Sequence, residues 1–567
     1  MRSKFCTALV WLAHLATAQF SLNPKTKTSI AKTSYGTIFT NNITETGISV
    51  FKGIPYAKPP VGDLRWRSPL PPDASAQPIN ATVGTTSCWG FVGNNVTETT
   101  SEDCLYLNVW TPAKTDSERL PVMVWVHGGG FNFDSGLNPL FEGVHMCLKG
   151  VVVVTINYRL GNLGYLAHPA LDAEDPVENS GNFGLQDIMQ ALRWVRGNIE
   201  AFGGDSKNVM VFGESAGAHA LPLLMASPLS EGLFDKVMCS SGTYWDSEHG
   251  NMESFAQSRQ RGLNWAASAV RPNATLAELR DLPAYLVQNT SLWNGFDPGV
   301  VAFSPNIDNY VIPQYAPSVF SSGKQASVPF VAGFNAREDT LFQQRALEHG
   351  TADLFNERLF SWLNMSGLPE STIRDGMSKY YPATSDTEAE VSAFLWTGDM
   401  VIRQQTWEAV HEHERTTRQP SWLYVFNFTS EFNPIAGHGQ DMPYDFGTLR
   451  DFGLSTPGVK PGPDDAKMAM YIMTYLTNFA KSSDPNEPDN LRGTLPHWPS
   501  YSACEGTGEC PRNTCGLHQG CILELANPTS VQEFDYSRFQ FIQSLRKDGV
   551  FPAGWHDFVV NSLSELP

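Results

Sequence analysis

Beyond its first residues, this chain of 567 residues has no apolar run long enough to span a bilayer, which argues against an integral membrane segment. It has no excess of positive charge either. Its 39 Lys and Arg face 58 Asp and Glu, and the formal net charge of −19 argues against nucleic acid and anionic membrane surfaces as partners. The stretch from Met252 to Phe320, though rich in Asn, Pro and Ser, holds no repeat and no disordered linker. The tail ending Leu563-Ser564-Glu565-Leu566-Pro567 carries neither a lipid-anchor nor an ER-retention signal. None of the nine cysteines stands in a zinc-type spacing.

What is present points outward. Arg2 and Lys4 precede an apolar stretch from Phe5 to Leu15, and Ala16-Thr17-Ala18 fits a small-x-small cleavage site. Residues 1–18 are therefore expected to be a signal peptide, and the protein to be secreted. Seven Asn-x-Ser/Thr sites suit a secreted glycoprotein: Asn42, Asn80, Asn95, Asn273, Asn289, Asn364 and Asn427. Cys6 leaves with the leader, and an oxidising compartment allows the other cysteines to pair. Cys504, Cys510, Cys515 and Cys521 cluster in a Gly-rich polar stretch, which reads as a stapled loop in preference to a metal site. Cys147 and Cys239 have no evident partner.

With 41% hydrophobic residues the chain can bury a large core, as one domain or as two to three smaller ones. Pro121–Val126, Val151–Asn157, Asn208–Phe212, Lys236–Ser240, Val328–Gly333 and Trp422–Phe426 are short apolar runs of the kind buried on both faces of a sheet. Leu185–Phe202 carries a helical stripe, Thr351–Gln419 reads as helical, and Val531–Lys547 reads as a closing amphipathic helix with Phe534, Phe541 and Leu545 inward. Alternating buried strands and helices predict an α/β fold with a large, mostly parallel sheet covered on both faces.

The chemistry centres on Gly213-Glu214-Ser215-Ala216-Gly217, between a strand and a helix. Small residues there allow a sharp turn that lifts a serine hydroxyl clear of its neighbours. Pro222 should kink or restart the helix that follows. His127-Gly128-Gly129-Gly130-Phe131 directly follows a buried strand. Its bare N–H groups can face a developing oxyanion, or the run can be a plain flexible turn. His411 and His413 sit in a charged helical stretch and read as solvated.

These motifs together resemble the type-B carboxylesterase, lipase and cholinesterase family of α/β-hydrolases. So do Phe51-Lys52-Gly53-Ile54-Pro55-Tyr56-Ala57, Glu102-Asp103-Cys104-Leu105-Tyr106-Leu107-Asn108-Val109, Asn157-Tyr158-Arg159-Leu160-Gly161 and Phe202-Gly203-Gly204-Asp205. The likeness covers nearly all of residues 19–567, implying one domain, and its flavour is nearest that of a secreted fungal member. The resemblance implies a triad of Ser215, an acid in Gly333-Phe334-Asn335-Ala336-Arg337-Glu338, and a base in His438-Gly439-Gln440-Asp441-Met442-Pro443-Tyr444-Asp445-Phe446-Gly447. The chain departs from the family pattern at Asp339, usually glycine, and at Asp441, usually glutamate. Two adjacent carboxylates thus compete for the acid position, and register favours Glu338. The resemblance also implies an oxyanion hole of Gly129, Gly130 and Ala216 and a first disulfide, Cys88–Cys104, whose short loop leans towards soluble or short-chain esters. Trp89 can line the pocket or merely pack, and Thr243-Tyr244-Trp245 can shape an acyl pocket.

The implied activity is hydrolysis of a small-molecule ester through an acyl-enzyme, with no metal or organic cofactor. An acyltransferase using the same acyl-enzyme is the alternative. An adhesion-like relative without catalysis disagrees with the retained serine, acid, base and glycines. A cholinesterase lacks an evident aromatic choline pattern here.

Overall fold

The structure is a computed structural model. It describes residues 30–84, 86–90, 99–244, 252–289, 303–342, 351–450, 455–501 and 519–546. The expected leader 1–18, Asn95, Trp245, Cys504, Cys510 and Cys515 lie outside the described residues.

Ten strands form one sheet: β1 (Ser49–Pro55), β2 (Tyr106–Thr111), β3 (Leu120–Val126), β4 (Val152–Ile156), β5 (Gly204–Glu214), β6 (Lys236–Ser240), β7 (Phe330–Asn335), β8 (Ser421–Phe426), β9 (Gln519–Leu525) and β10 (Ser530–Asp535). Their spatial order is β10-β9-β8-β7-β6-β5-β3-β4-β2-β1. The pairings from β4 through β3, β5, β6, β7 and β8 to β9 are parallel, and both ends of the sheet turn antiparallel. This is the α/β arrangement that the buried apolar runs predict, and it agrees with the α/β-hydrolase fold that the resemblance implies.

The strands are apolar on both sides because both sides are covered. In β3, Val122, Val124 and Val126 join one core while Met123 and Trp125 join the other. Alternation with period two forces that division. The first core packs α1 (Phe183–Asn198) and α2 (Ala216–Ala226) against the sheet, together with α3 (Phe255–Ala269). The helical region predicted after Thr351 resolves into α4 (Ala352–Leu363), α5 (Glu370–Tyr380), α6 (Asp386–Gly398) and α7 (Gln404–Thr417). The second core lies under α8 (Pro463–Ser482).

Three expectations need correction. Val531–Lys547 is not one helix. Its first part is strand β10, paired antiparallel with β9 from Ser530↔Glu524 to Gln519↔Asp535, and only then does α9 (Ser537–Ser544) begin. Pairing at the sheet edge satisfies backbone groups that a local apolar pattern does not reveal. Phe541 and Leu545 are buried, and Phe534 packs against the same core.

Pro222 neither kinks nor restarts its helix, since α2 runs unbroken to Ala226. Proline removes the N–H that the carbonyl of Ala218 would receive. The Cys239 thiol on β6 donates to that carbonyl instead, at 3.5 Å. His413, expected in solvent, is fully buried. Its Nε2 donates to the Val328 carbonyl at 2.8 Å, and burial pushes its pKa down to about 4. His411 is half-buried and stacks on Trp407.

The Cys88–Cys104 disulfide is present, and Cys147 and Cys239 are buried thiols. Cys521 is buried on β9 and disulfide-bonded. Asn80, Asn273, Asn364 and Asn427 are exposed and Asn42 is half-buried. The side chain of Asn289 lies outside the description. Among the described residues no helix is long and apolar enough to cross a membrane.

Candidate active site

Strand β5 ends at Glu214, α2 begins at Ala216, and Ser215 makes the whole connection. Its backbone sits at φ 51°, ψ −125°, a region that non-glycine residues occupy only when their surroundings hold them there. The Ser215 N–H donates to the Ser240 carbonyl at 3.0 Å, and the Ser215 carbonyl accepts from the His219 N–H at 2.8 Å. The flanking glycines answer a steric demand. A Cβ on Gly217 would lie 2.1 Å from the Val126 carbonyl oxygen, and one on Gly213 would lie 2.8 Å from the Gly217 backbone. The Gly-x-Ser-x-Gly spacing is thus the price of packing α2 directly on the end of β3.

His438 and Glu338 arrive on the loops that follow β8 and β7. Nε2 of His438 lies 3.0 Å from Ser215 Oγ, and its Nδ1 lies 2.6 Å from Glu338 Oε2. A carboxylate only accepts, so Nδ1 carries the proton and Nε2 is left free to accept from the serine hydroxyl. The two loops are tied together. The His438 N–H donates to Thr340 Oγ1 at 2.9 Å, and Asn335 Nδ2 donates to the Gly437 carbonyl at 2.6 Å. Glu338 is fully buried, and its other oxygen accepts the Asn335 N–H at 2.6 Å.

The rival carboxylate is occupied elsewhere: Asp339 pairs with the guanidinium of Arg337 at 2.7 Å. Of two adjacent acids, Glu338 is the one against the imidazole.

The sequence reading passed over Glu214. Its Oε1 lies 3.3 Å from His438 Nε2, and burial, reinforced by Asp441, Glu338 and Asp134 against the opposing pull of His438, pushes its pKa up to about 8. The only signal was a glutamate closing the apolar run Val209–Gly213. Asp441, the departure from the family's glutamate, accepts from Asn335 Nδ2 at 3.1 Å, and burial raises its pKa to about 6. Burial also raises that of Asp445.

The glycine run lies against the serine, since a Cβ on Gly128 would stand 3.1 Å from Ser215 Cβ. Gly129 and Gly130 adopt φ of +90° and +58°. Ala216 opens α2, where first-turn N–H groups have no partner within the helix. Donors at these positions suit an anionic oxygen. Trp89 is half-buried and, with Trp66, Leu160 and the disulfide, lines a small cleft whose walls include neither Ser215 nor His438. Thr243 and Tyr244 are buried beyond the end of β6.

Residues 27–518 match the model of the carboxylesterase family. The chain belongs to that family. Carboxylesterases of this kind hydrolyse carboxylic esters, and so does this chain. It is 34% identical over 500 residues to the fumonisin B1 esterase of Sphingopyxis macrogoltabida, covering 83% of this chain and 87% of that protein. It is 30% identical to the para-nitrobenzyl esterase of Bacillus subtilis, covering 83% of this chain and 92% of that one. Among solved structures, the carboxylesterase EST55 of Geobacillus stearothermophilus superposes with a TM-score of 0.75 at 27% identity, over 91% of this chain and all of that one.

Proposed function

We propose that the chain is a secreted, glycosylated serine esterase, a single domain from residue 19 onward, that works through an acyl-enzyme. Ser215 attacks the ester carbonyl, and His438 takes its proton and returns it to the leaving alcohol. Glu338 holds the imidazole in one tautomer and stabilises its cation. The backbone N–H groups of Gly129, Gly130 and Ala216 receive the oxyanion, and losing one such donor costs about a hundredfold or more in rate. Water then releases the acid. The substrates are small soluble esters. The short Cys88–Cys104 loop supports this, as do relatives named for a fumonisin and a nitrobenzyl ester.

The observation that carries the reading is the unbroken chain of contacts from Ser215 Oγ through both nitrogens of His438 to Glu338. Hydrolysis of p-nitrophenyl esters from acetate to palmitate, with wild type and Ser215→Ala side by side, is the test. Activity should peak at short chains and vanish in the variant. Undiminished hydrolysis by Ser215→Ala would overturn the mechanism, and a long-chain peak would overturn the substrate class. N-terminal sequencing starting at Gln19, and a mass loss on glycosidase treatment, would support export.

A further inference from the structure

Between α6 and α7 the chain leaves regular helix. Asp399–Arg403 forms a turn of π-helix with all five residues buried. Such turns are rare and collect at functional positions. This one packs directly against the turn Glu338–Phe342, which opens with the acid facing His438.

Asp399 is the fixed charge of the region. Fully buried, it accepts from Tyr381 Oη at 2.9 Å and from Arg538 Nη2 on α9 at 3.1 Å, and it forms an ion pair with Arg403 Nε at 3.1 Å. The far end of Arg403 points the other way. Nη1 donates to the Ala336 carbonyl at 3.3 Å and Nη2 to the Leu395 carbonyl at 2.9 Å. Ala336 stands two residues before Glu338, and its own N–H donates to the Phe426 carbonyl at 2.9 Å. The guanidinium fits tightly, since a Cβ on Gly398 would lie 2.4 Å from Nη2.

A buried ion pair contributes little net stability compared with well-packed apolar side chains. What a guanidinium adds is direction, because its planar fork fixes the carbonyls it meets relative to the carboxylate beneath it. Here one of those carbonyls belongs to the segment that delivers Glu338.

We propose that Arg403, oriented by Asp399, is a positioning residue for Glu338. The inference rests on the reading of Glu338 as the triad acid. Arg403 touches neither Ser215 nor His438. It pins the backbone just before Glu338 so that the carboxylate meets Nδ1 at hydrogen-bond distance.

The test is steady-state kinetics on one p-nitrophenyl ester with Arg403→Met, Arg403→Lys and Arg538→Met, alongside melting temperatures. Misplacing a reacting group by about 1 Å costs on the order of a hundredfold, so Arg403→Met should lower kcat by roughly 10- to 100-fold with KM changed less than about twofold. Arg403→Lys keeps the charge but not the planar fork, so it should recover only part of that loss. Arg538→Met strips a second cation from the same carboxylate without touching the acid turn, so it should lower the melting temperature and leave kcat within about threefold of wild type.

A kcat for Arg403→Met within threefold of wild type would overturn the proposal. So would an equal kcat loss in Arg538→Met, because the effect would then be general loosening. If Arg403→Met does not accumulate as folded protein, Arg403→Lys carries the test, with a partial kcat loss at unchanged KM expected and full wild-type kcat overturning it. Glu338→Gln measured in parallel separates the two levels. If it leaves kcat intact, the triad reading itself fails; if it lowers kcat while Arg403 variants do not, only the positioning role fails.

Discussion

Replacing Glu214 with glutamine should stabilise the protein in a way that depends on pH. The carboxyl is buried beside Gly128, whose Cβ position lies 2.7 Å from Oε2, and its pKa stands near 8 against an ordinary value of 4.5. In the unfolded chain the group ionises near its ordinary value. In the folded protein it holds its proton until about pH 8. Between those values the unfolded state has lost a proton that the folded state keeps, so folding stability falls as pH rises. Each pH unit in that window costs a factor of about ten in the folding equilibrium, or roughly 3 kcal/mol by pH 7. Above the folded pKa the cost levels off.

Glutamine never ionises, so Glu214→Gln escapes this cost while keeping the shape of the protonated acid. For a chain of 567 residues about 1 kcal/mol moves the midpoint by about 1 °C, so the variant should melt about 3 °C above wild type at pH 7 and alongside it near pH 4. Calorimetric or fluorescence melts at pH 4, 5, 6, 7 and 8 read this directly. Parallel curves for the two proteins, or an advantage that shrinks as pH rises, would refute the assignment of a neutral carboxyl beside His438.

Five further outcomes follow from the geometry. Glu338→Gln should lower kcat by about 10³- to 10⁴-fold through the wrong imidazole tautomer. Asp339→Asn, which disturbs only the pair with Arg337, should stay within about tenfold in the same ester assay. Gly129→Ala, whose Cβ would lie 2.3 Å from the Phe133 carbonyl oxygen, should cost at least about a hundredfold in kcat as the loop shifts. Gly130→Ala meets open space and should cost mainly about 1–2 kcal/mol of backbone strain, seen as a lower melting temperature. Serine at both Cys88 and Cys104 should lower unfolding free energy by about 3 kcal/mol in denaturant titrations, the entropy of closing so short a loop.

The sequence made the central strands legible because burial on both faces leaves no polar positions, and Val122–Val126 or Val152–Ile156 admit few other readings. Ser215 and His438 were legible through local motifs. The partnership of Glu338 was legible by register alone, and what distinguishes it from Asp339 is a contact with Arg337 that depends on where the turn points. β10 was misread because its pairing with β9 is a tertiary fact. His413 looked solvated because its neighbours in sequence are charged, while its neighbours in space are the Val328 carbonyl and Gln325. Glu214 was silent for a related reason: alternation along β5 decides which way a strand's last side chain turns, and only the assembled site shows that this is towards His438.

The strand order has one more consequence. The residues that meet at the serine leave the sheet from the ends of β5, β7 and β8, strands held by continuous parallel pairing through β6. The long excursions of the chain, from Ser240 to Phe330 and from Asn335 to Ser421, depart from the ends of β6 and β7 and return to the sheet at the next strand. Reactivity is therefore anchored at the ends of continuously paired strands, while the segments that run between those strands have a length and content the sheet does not dictate. Such a scaffold can be refitted for a new ester by rewriting the excursions while the reacting atoms stay where they are.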